Sequence, residues 1–118
     1  TQVIELVRIR TGDGEPMALE KSYLVHEGAK PLVGLNMEDK SLYGTLEEKC
    51  QVKLTRALQT IEVTHVTPAE AHYLDIEDND AVMLIERVTY GEDKPTPVEY
   101  VKSLYRGDRY KFSIEMNI

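Results

Sequence analysis

Residues 3–25 have the sequence VIELVRIRTGDGEPMALEKSYLV, and this stretch decides how the first part of the chain folds. Residues 3–10 and 17–25 are rich in β-branched and apolar side chains, a composition that is typical of strands. Residues 11–16 between them are dense in turn formers. The pattern predicts an antiparallel hairpin with a five-residue loop over 12–16.

The predicted register of this hairpin places charged side chains opposite one another. Arg8 faces Glu20 across the two strands, and Arg10 faces Ala18. Residues two apart on a strand point to the same face, so both arginines share one side of the sheet. Directly opposed residues have Cβ atoms about 5 Å apart, which is close enough for Arg8 and Glu20 to form an ion pair.

The rest of the chain predicts an alternation of strands and short helices. Thr67, Pro68 and Glu70 have the spacing of a capping box with proline in the first helical turn, so a helix should begin there. The predicted elements are a loop over 26–40, helices over 41–50 and 67–74, and strands over 53–66, 81–90, 97–105 and 110–117. We therefore expect an α+β domain: an antiparallel sheet of about six strands, with two or three short helices at one face or end.

Composition excludes several classes of protein. A length of 118 residues with 42% hydrophobic and 30% charged residues suits one globular domain that can bury a core. The single cysteine, Cys50, excludes an internal disulfide and a cysteine-rich zinc site. A net charge of −7 makes direct binding to nucleic acid improbable, because phosphate backbones attract basic surfaces. The first residues, Thr1–Glu5, lack the basic start and apolar stretch of a signal peptide, and the sequence does not begin with Met, so we expect part of a longer cytoplasmic protein.

Two groups of side chains could bind a small molecule. Arg8 and Arg10 on one strand face would form an anion clamp, since a guanidinium group matches the geometry of carboxylate and phosphate. Glu99 and Tyr105 are in phase on a later strand and could bind hydroxyl or amine groups. On the residues alone, an ordinary hydrated sheet face is the favoured interpretation of both pairs, because surface arginine pairs are common.

Other motifs predict neither a metal site nor catalysis. His26, His65 and His72 lack the spacing of metal ligands. The acidic stretch 75–80 lacks the glycine that a calcium loop needs at its sixth position. Arg-Gly-Asp at 106–108 predicts a turn, in which Gly107 permits a positive φ. We expect no cofactor, no metal and no catalytic residue.

Several segments occur in an order that closely resembles the UTRA domain of the HutC-like branch of GntR transcription regulators. The resemblance covers nearly the whole chain, and the closing motif together with the Arg-x-Arg hairpin is its most specific part. The segments are Arg8-Ile9-Arg10, Asp13-Gly14-Glu15-Pro16-Met17-Ala18-Leu19-Glu20, Ser22-Tyr23-Leu24, Ser41-Leu42-Tyr43, Ile85-Glu86-Arg87, Pro97-Val98-Glu99-Tyr100, and Tyr105-Arg106-Gly107-Asp108-Arg109-Tyr110-Lys111-Phe112.

The resemblance implies an effector-binding domain with a fold like that of chorismate lyase. In relatives that sense phosphorylated amino sugars, two strand arginines and a helix serine hold the phosphate, while two glutamates and a tyrosine hold the sugar. The residues of this sequence that match those positions are Arg8, Arg10, Ser41, Glu20, Glu99 and Tyr105. DNA would be bound only by a winged helix-turn-helix domain that, with the family's first strand, precedes this chain, and the regulator would act as a homodimer without contacting membranes.

Two other functions remain open on the residues alone. A chorismate-lyase-type enzyme would use Arg8, Glu20 and Glu99 to bind a dicarboxylate and assist elimination. A plain interaction domain would leave the sheet face empty, and it would show no thermal stabilisation by a small molecule.

Overall fold

A computed structural model of the chain describes residues 3–25, 41–51, 53–92 and 96–118. Within these residues the chain forms one sheet of five antiparallel strands in the order β1-β2-β5-β4-β3 and two helices, which confirms the α+β class. The elements are β1 (Val3–Gly12), β2 (Glu15–Val25), α1 (Leu42–Cys50), β3 (Leu54–His65), α2 (Pro68–Leu74), β4 (Ala81–Gly91) and β5 (Pro97–Arg106). The loop predicted over 26–40 lies outside the described residues. Neither helix is long and apolar enough to cross a membrane.

The β1–β2 hairpin has the predicted arginine register but a shorter turn. Arg8 pairs with Glu20 as expected, and a register shift follows Arg10, so that Gly12 pairs with Glu15. The five-residue loop is therefore wrong. Only Asp13 and Gly14 form the turn, with φ of 51° and 80°. Two successive positive φ values are what a tight hairpin turn needs, and an aspartate–glycine pair supplies them at low cost.

The helices pack on opposite faces of the sheet, which corrects the expectation that they share one face or end. On one face, α2 buries Ala71 and Leu74 against Leu19, Val82 and Leu104. On the other face, α1 packs against a separate apolar cluster beside β1 and β2. That cluster contains Leu24, Leu42 and Leu46, with Ile4, Leu6, Cys50 and Leu54 packed around them.

Side chains fix the start of each helix. At α2 the Thr67 hydroxyl accepts from the Glu70 backbone N–H at 3.3 Å, and the Thr67 N–H donates to Glu70 Oε1 at 2.9 Å. This reciprocal pair is the predicted capping box. At α1 the Ser41 hydroxyl oxygen accepts from the Gly44 N–H at 3.2 Å. The cap fixes Ser41 at the positive end of α1, on the face of the sheet that α2 does not cover.

The strand predicted over 110–117 is absent, so the expected count of about six strands becomes five among the described residues. Residues 110–118 have no regular secondary structure. Alternate apolar side chains are exposed there, with Ile114 68% and Met116 71% accessible. An alternating pattern forms a strand only where a neighbour completes the hydrogen-bond ladder, and none of the described strands pairs with this segment.

The turn after β5 is held by a side chain instead of by glycine. Arg106 Nε and Nη2 donate to the two carboxylate oxygens of Asp108 at 3.1 and 2.8 Å. Arg106 Nη1 donates to the carbonyls of Pro16 and Leu74 at 3.2 and 3.5 Å. The predicted turn is present, and Gly107 has no positive φ.

Candidate functional site

The face of the sheet that carries α1 contains a cavity of about 300 Å³. All six residues that the sequence predicted for ligand binding line it, so the structure brings them together. The lining consists of Arg8, Arg10, Glu20, Ser22, Ser41, Leu42, Gln59, Ile85, Arg87, Glu99, Val101, Ser103, Tyr105, Tyr110 and Phe112. The volume lies at the lower end of the range for small-molecule sites, and the lining is mostly polar.

Strand alternation and register explain why these side chains converge. Arg8, Glu20, Ser103 and Ile85 pair directly in that order across β1, β2, β5 and β4. Residues paired in this way point to the same face of the sheet. Four segments that are far apart in sequence therefore contribute neighbouring side chains to one floor.

The cationic side of the site lies on β1. Arg8 Nη2 lies 3.6 Å from Glu20 Oε2, and only 13% and 17% of these side chains remain accessible. Such partial burial makes the pair stronger than an exposed surface pair, because water screens it less. Arg10 is exposed at the next inward-facing position, with its charge at the mouth of the cavity.

Tyr105 stands beside Glu20 on the floor of the site. Its hydroxyl donates to Glu20 Oε1 at 3.4 Å, and its ring lies 4.3 Å from that of Tyr110 between centroids. Burial, and next the charge of Glu20, raise the pKa of Tyr105 to about 12, although Arg87 acts to lower it. The phenol is therefore neutral at physiological pH and keeps a proton to donate.

Glu99 is the most deeply buried charged residue of the site. It is 1% exposed, and its Oε1 accepts a hydrogen bond from the Thr89 hydroxyl at 2.7 Å. A carboxylate held this firmly in a region of low dielectric is a strong acceptor for hydroxyl or ammonium groups. Glu99 thus supplies an acceptor at the end of the cavity nearest α1.

Ser41 brings the N-terminus of α1 to the cavity. Its hydroxyl oxygen already accepts from Gly44, which leaves the hydroxyl proton for an anion. The positive end of the helix dipole favours negative charge at this position. Together with Arg8 and Arg10, Ser41 forms a set of donors suited to phosphate or carboxylate.

Sequence reasoning missed several residues that line the site. Arg87 on β4 and Gln59 on β3 lie at its far side, where Arg87 Nε donates to Gln59 Oε1 at 2.9 Å. Tyr110 and Phe112 add an aromatic wall. Alternation along β4 shows which residues of that strand share a face with Arg87. Only the strand order, in which β5 lies between β2 and β4, shows that this is also the face of Arg8.

The described residues contain no cluster of three or more histidine, cysteine, aspartate or glutamate side chains placed to hold a metal ion. Cys50 is half-buried against the apolar cluster beneath α1, and burial raises the pKa of its thiol. A thiol in this environment is a packing group, since nucleophilic cysteines have a lowered pKa.

The chain is similar in sequence to bacterial transcription regulators. It is 35% identical over 112 residues to the HTH-type transcriptional repressor NagR of Bacillus subtilis, covering 95% of this chain and 45% of that protein. It is 30% identical over 115 residues to the HTH-type transcriptional repressor PhnF of Mycolicibacterium smegmatis, covering 98% of this chain and 46% of that protein. The chain therefore spans about half the length of the curated relatives it matches.

Solved structures agree with these matches. The effector domain of PhnF from Mycobacterium smegmatis superposes with a TM-score of 0.91 at 30% identity, covering 98% of this chain and 70% of that one. A GntR-family transcriptional regulator from Enterococcus faecalis has a TM-score of 0.85 at 31% identity, covering 97% and 81%. The family model described as "UTRA domain" matches residues 1–111. The chain belongs to the UTRA domain family.

Proposed function

We propose that this domain binds a small anionic metabolite, a phosphorylated sugar, and thereby controls DNA binding by a winged-helix domain attached to it. The observation that carries the proposal is the convergence of Arg8, Arg10 and Ser41 on one cavity that also contains Glu99 and Tyr105. Two guanidinium groups, a hydroxyl and a helix N-terminus suit a phosphate. The acidic and phenolic groups suit the hydroxyls or amine of a sugar.

Glu20 connects the two halves of the proposed site. One carboxylate oxygen faces Arg8 and the other accepts from Tyr105. A carboxylate that is held on both sides has a fixed orientation. It therefore accepts hydrogen bonds from a hydroxyl or amine in one direction, which makes its recognition selective. The proposed effector therefore carries its phosphate towards Arg8 and Arg10 and its sugar ring over Glu20 and Glu99.

Transmission to DNA follows from linkage. An effector that binds one conformation of the regulator better than another shifts the equilibrium between them, and the DNA-binding domain follows. A tenfold change in operator affinity needs only about 1.4 kcal/mol of coupling. In this proposal the regulator works in the cytoplasm as a homodimer that reads two half-sites, and it senses its ligand without turnover. The names of NagR and PhnF as transcriptional repressors support this reading. The likeness of the fold to chorismate lyase stays a prediction.

Thermal unfolding in the presence of phosphosugars and small organic acids tests the proposal. A specific effector at 100 times its Kd stabilises the folded state by about 2.7 kcal/mol, which raises the melting temperature. The shift should disappear in Arg8→Ala. It should persist in Arg56→Ala, because Arg56 stacks on Tyr90 at 4.1 Å on the opposite face of the sheet.

Three results would count against the proposal. If no compound shifts the melting temperature of the regulator with its DNA-binding domain attached, the anion site is wrong. A shift that Arg8→Ala and Arg56→Ala reduce equally would show general charge attraction instead of a site. Conversion of any stabilising ligand into product, followed by NMR, would favour the enzyme.

A further inference from the structure

Three inward-facing polar residues lie in one row across the sheet, and the proposed phosphosugar site does not use them. Ser22 on β2 pairs with Val101 on β5, Val101 pairs with Arg87 on β4, and Arg87 pairs with Gln59 on β3. All three polar residues line the cavity. The row is the next one along the strands from Arg8 and Glu20, in the direction of α1.

The guanidinium group of Arg87 is held in one orientation by a hydrogen bond to Gln59. Its Nε donates to Gln59 Oε1 at 2.9 Å, which fixes the plane of the guanidinium. Its side chain lines the cavity, one row along the strands from Glu20. A guanidinium held in this way retains a fork geometry that matches a carboxylate or carbonyl oxygen.

Ser22 provides a second, independent sign of a ligand. The residue is 1% exposed, and its Oγ has no hydrogen-bond partner among the described residues. A buried hydroxyl without a partner is unfavourable, because it has lost its hydrogen bonds to water and gained none in return. An acceptor or donor that enters the cavity would remove this cost.

The distance between Arg8 and Arg87 limits the length of a ligand that contacts both. Arg8 lies on β1 and Arg87 on β4, three strand spacings away in the sheet order. At about 4.8 Å for each spacing, and with Arg87 two residues further along the strands at about 3.4 Å per residue, their backbones are roughly 16 Å apart. Both side chains point inward from the sheet, so a molecule the size of a six-carbon chain fits between them.

We propose that Ser22, Arg87 and Gln59 form a second polar subsite, which binds a carboxylate or acyl oxygen at the end of the effector away from its phosphate. The inference rests on the proposed function, since it assigns the phosphate to Arg8 and Arg10. It adds that the effector carries oxygen acceptors at both ends, and that Arg87 selects among phosphosugars by the group opposite the phosphate.

Three open-chain probes with the same carbon skeleton test the subsite: glucitol 6-phosphate, 6-phosphogluconate and 6-phosphogluconamide. Glucitol 6-phosphate has no carbonyl oxygen, whereas the other two carry a carboxylate or a neutral amide at the opposite end from the phosphate. Isothermal calorimetry on the full regulator should show that at least one carbonyl-bearing probe binds tenfold or more tightly than glucitol 6-phosphate, on the order expected for a hydrogen bond to a charged group. Tighter binding of the carboxylate assigns an anionic group, and equal binding of the two assigns a neutral acyl oxygen.

Substitutions separate the subsite from the phosphate end. Arg87→Met should reduce the preference for carbonyl-bearing probes to less than about threefold, since only the lost hydrogen bonds discriminate among the probes, whereas the lost charge weakens the binding of all three phosphates alike. Arg8→Met should weaken all three probes together. Arg56→Met removes a cation from the opposite face and should change nothing.

A second variant, Gln59→Leu, tests the same subsite if Arg87→Met does not fold. Gln59→Leu keeps the guanidinium but removes the acceptor that orients it, on an exposed edge strand. It should lower the same preference by a smaller factor, with little change in the melting temperature of the free protein. We expect Gln59→Leu to lower the affinity for the carbonyl-bearing probes only, and by less than Arg87→Met does.

The inference is overturned if wild-type protein binds the three probes equally, or if its preference survives in Arg87→Met. Failure of all three probes to bind also overturns it. The thermal-shift panel with Arg8→Ala then decides separately whether the phosphate site stands, so the two proposals can fail independently.

Discussion

The Tyr105 hydroxyl donates a hydrogen bond to Glu20 Oε1 at 3.4 Å, although the two residues are 85 positions apart in sequence. They meet because β2 and β5 are neighbours in the sheet, with Ala18 paired to Tyr105. The other oxygen of the same carboxylate lies 3.6 Å from Arg8. A continuous polar path therefore runs from a phenol through a carboxylate to a guanidinium along the floor of the cavity.

This contact predicts a contribution to the pH dependence of stability that Tyr105→Phe should remove, while the contribution of Tyr100, whose pKa is also raised to about 12 by its hydrogen bond to Glu86, remains. Burial, and then Glu20, raise the pKa of Tyr105 from 10.0 to about 12, so the folded protein holds the phenolic proton more tightly than the unfolded chain does. The resulting stabilisation is complete below pH 10 and is lost as pH rises from 10 to 12. Two pKa units correspond to about 2–3 kcal/mol.

Urea unfolding of wild type and Tyr105→Phe at pH 9 and near pH 12 measures this effect. At pH 9 the variant should lose at most about 1 kcal/mol, because a single long hydrogen bond contributes little. Near pH 12 wild type should lose its advantage and fall below the variant. A difference between the two proteins that stays constant with pH would show that the Tyr105 phenol is not perturbed as described.

The sequence predicted those parts of the fold that depend on neighbouring residues. Strand alternation placed Arg8 and Arg10 on one face, and the hairpin register followed because the two strands are joined by a short turn. The capping box at Thr67 was equally local. The turn at Asp13 and Gly14 was misjudged because a register shift after Arg10 takes up the extra residue, and alternation alone does not reveal such a shift.

The parts that failed depend on contacts between distant segments. The apolar alternation over 110–117 satisfies the pattern of a strand, but a strand also needs a paired neighbour, which no local pattern supplies. Arg87 was missed for the same reason, since its place on the site face depends on β5 lying between β2 and β4. The resemblance to a family supplied Ser41, which no alternation rule could have placed beside Arg8.

The Arg106–Asp108 pair predicts that the turn after β5 contributes to stability. Only 9% of the Arg106 side chain is accessible, and its guanidinium joins β5 to the carbonyls of Pro16 and Leu74. Asp108→Asn removes the bidentate ionic contact and leaves this guanidinium less well paired. We expect a loss of about 1–3 kcal/mol in the free energy of unfolding, the range for hydrogen bonds to charged groups.

Chemical denaturation of Asp108→Asn beside Asp78→Asn checks this contribution. Asp78 is an exposed acid in the loop between α2 and β4, and its substitution should change stability by less than about 0.5 kcal/mol. Arg106 also lowers the pKa of Asp108 below 3.8. The stabilisation is therefore present above pH 3.8 and lost as pH falls below it. If Asp108→Asn and Asp78→Asn change the free energy of unfolding equally, the Arg106–Asp108 ion pair does not stabilise the turn.

The capping box predicts a specific cost for Thr67→Ala. The substitution leaves the Glu70 N–H without its acceptor and should destabilise the protein by about 1 kcal/mol. Thr67→Ser retains the hydroxyl and should stay within a few tenths of a kcal/mol of wild type. Thermal denaturation compares the three proteins, and a loss of the same size in Thr67→Ser would point to the lost methyl group instead of the cap.

Two glycines should respond to alanine in opposite ways. Gly14 has φ of +80°, a conformation that disfavours any Cβ by about 1–2 kcal/mol, so Gly14→Ala should lower stability by that amount. Gly107 lacks a positive φ, and a Cβ built on it would meet only the Ala81 carbonyl oxygen, at an ordinary 3.9 Å. Gly107→Ala should therefore raise stability by about 0.4–1 kcal/mol, because alanine has fewer conformations in the unfolded chain. Urea denaturation of both variants gives the two signs, and destabilisation by Gly107→Ala would mean that glycine itself, not the Arg106–Asp108 pair, is what the turn requires.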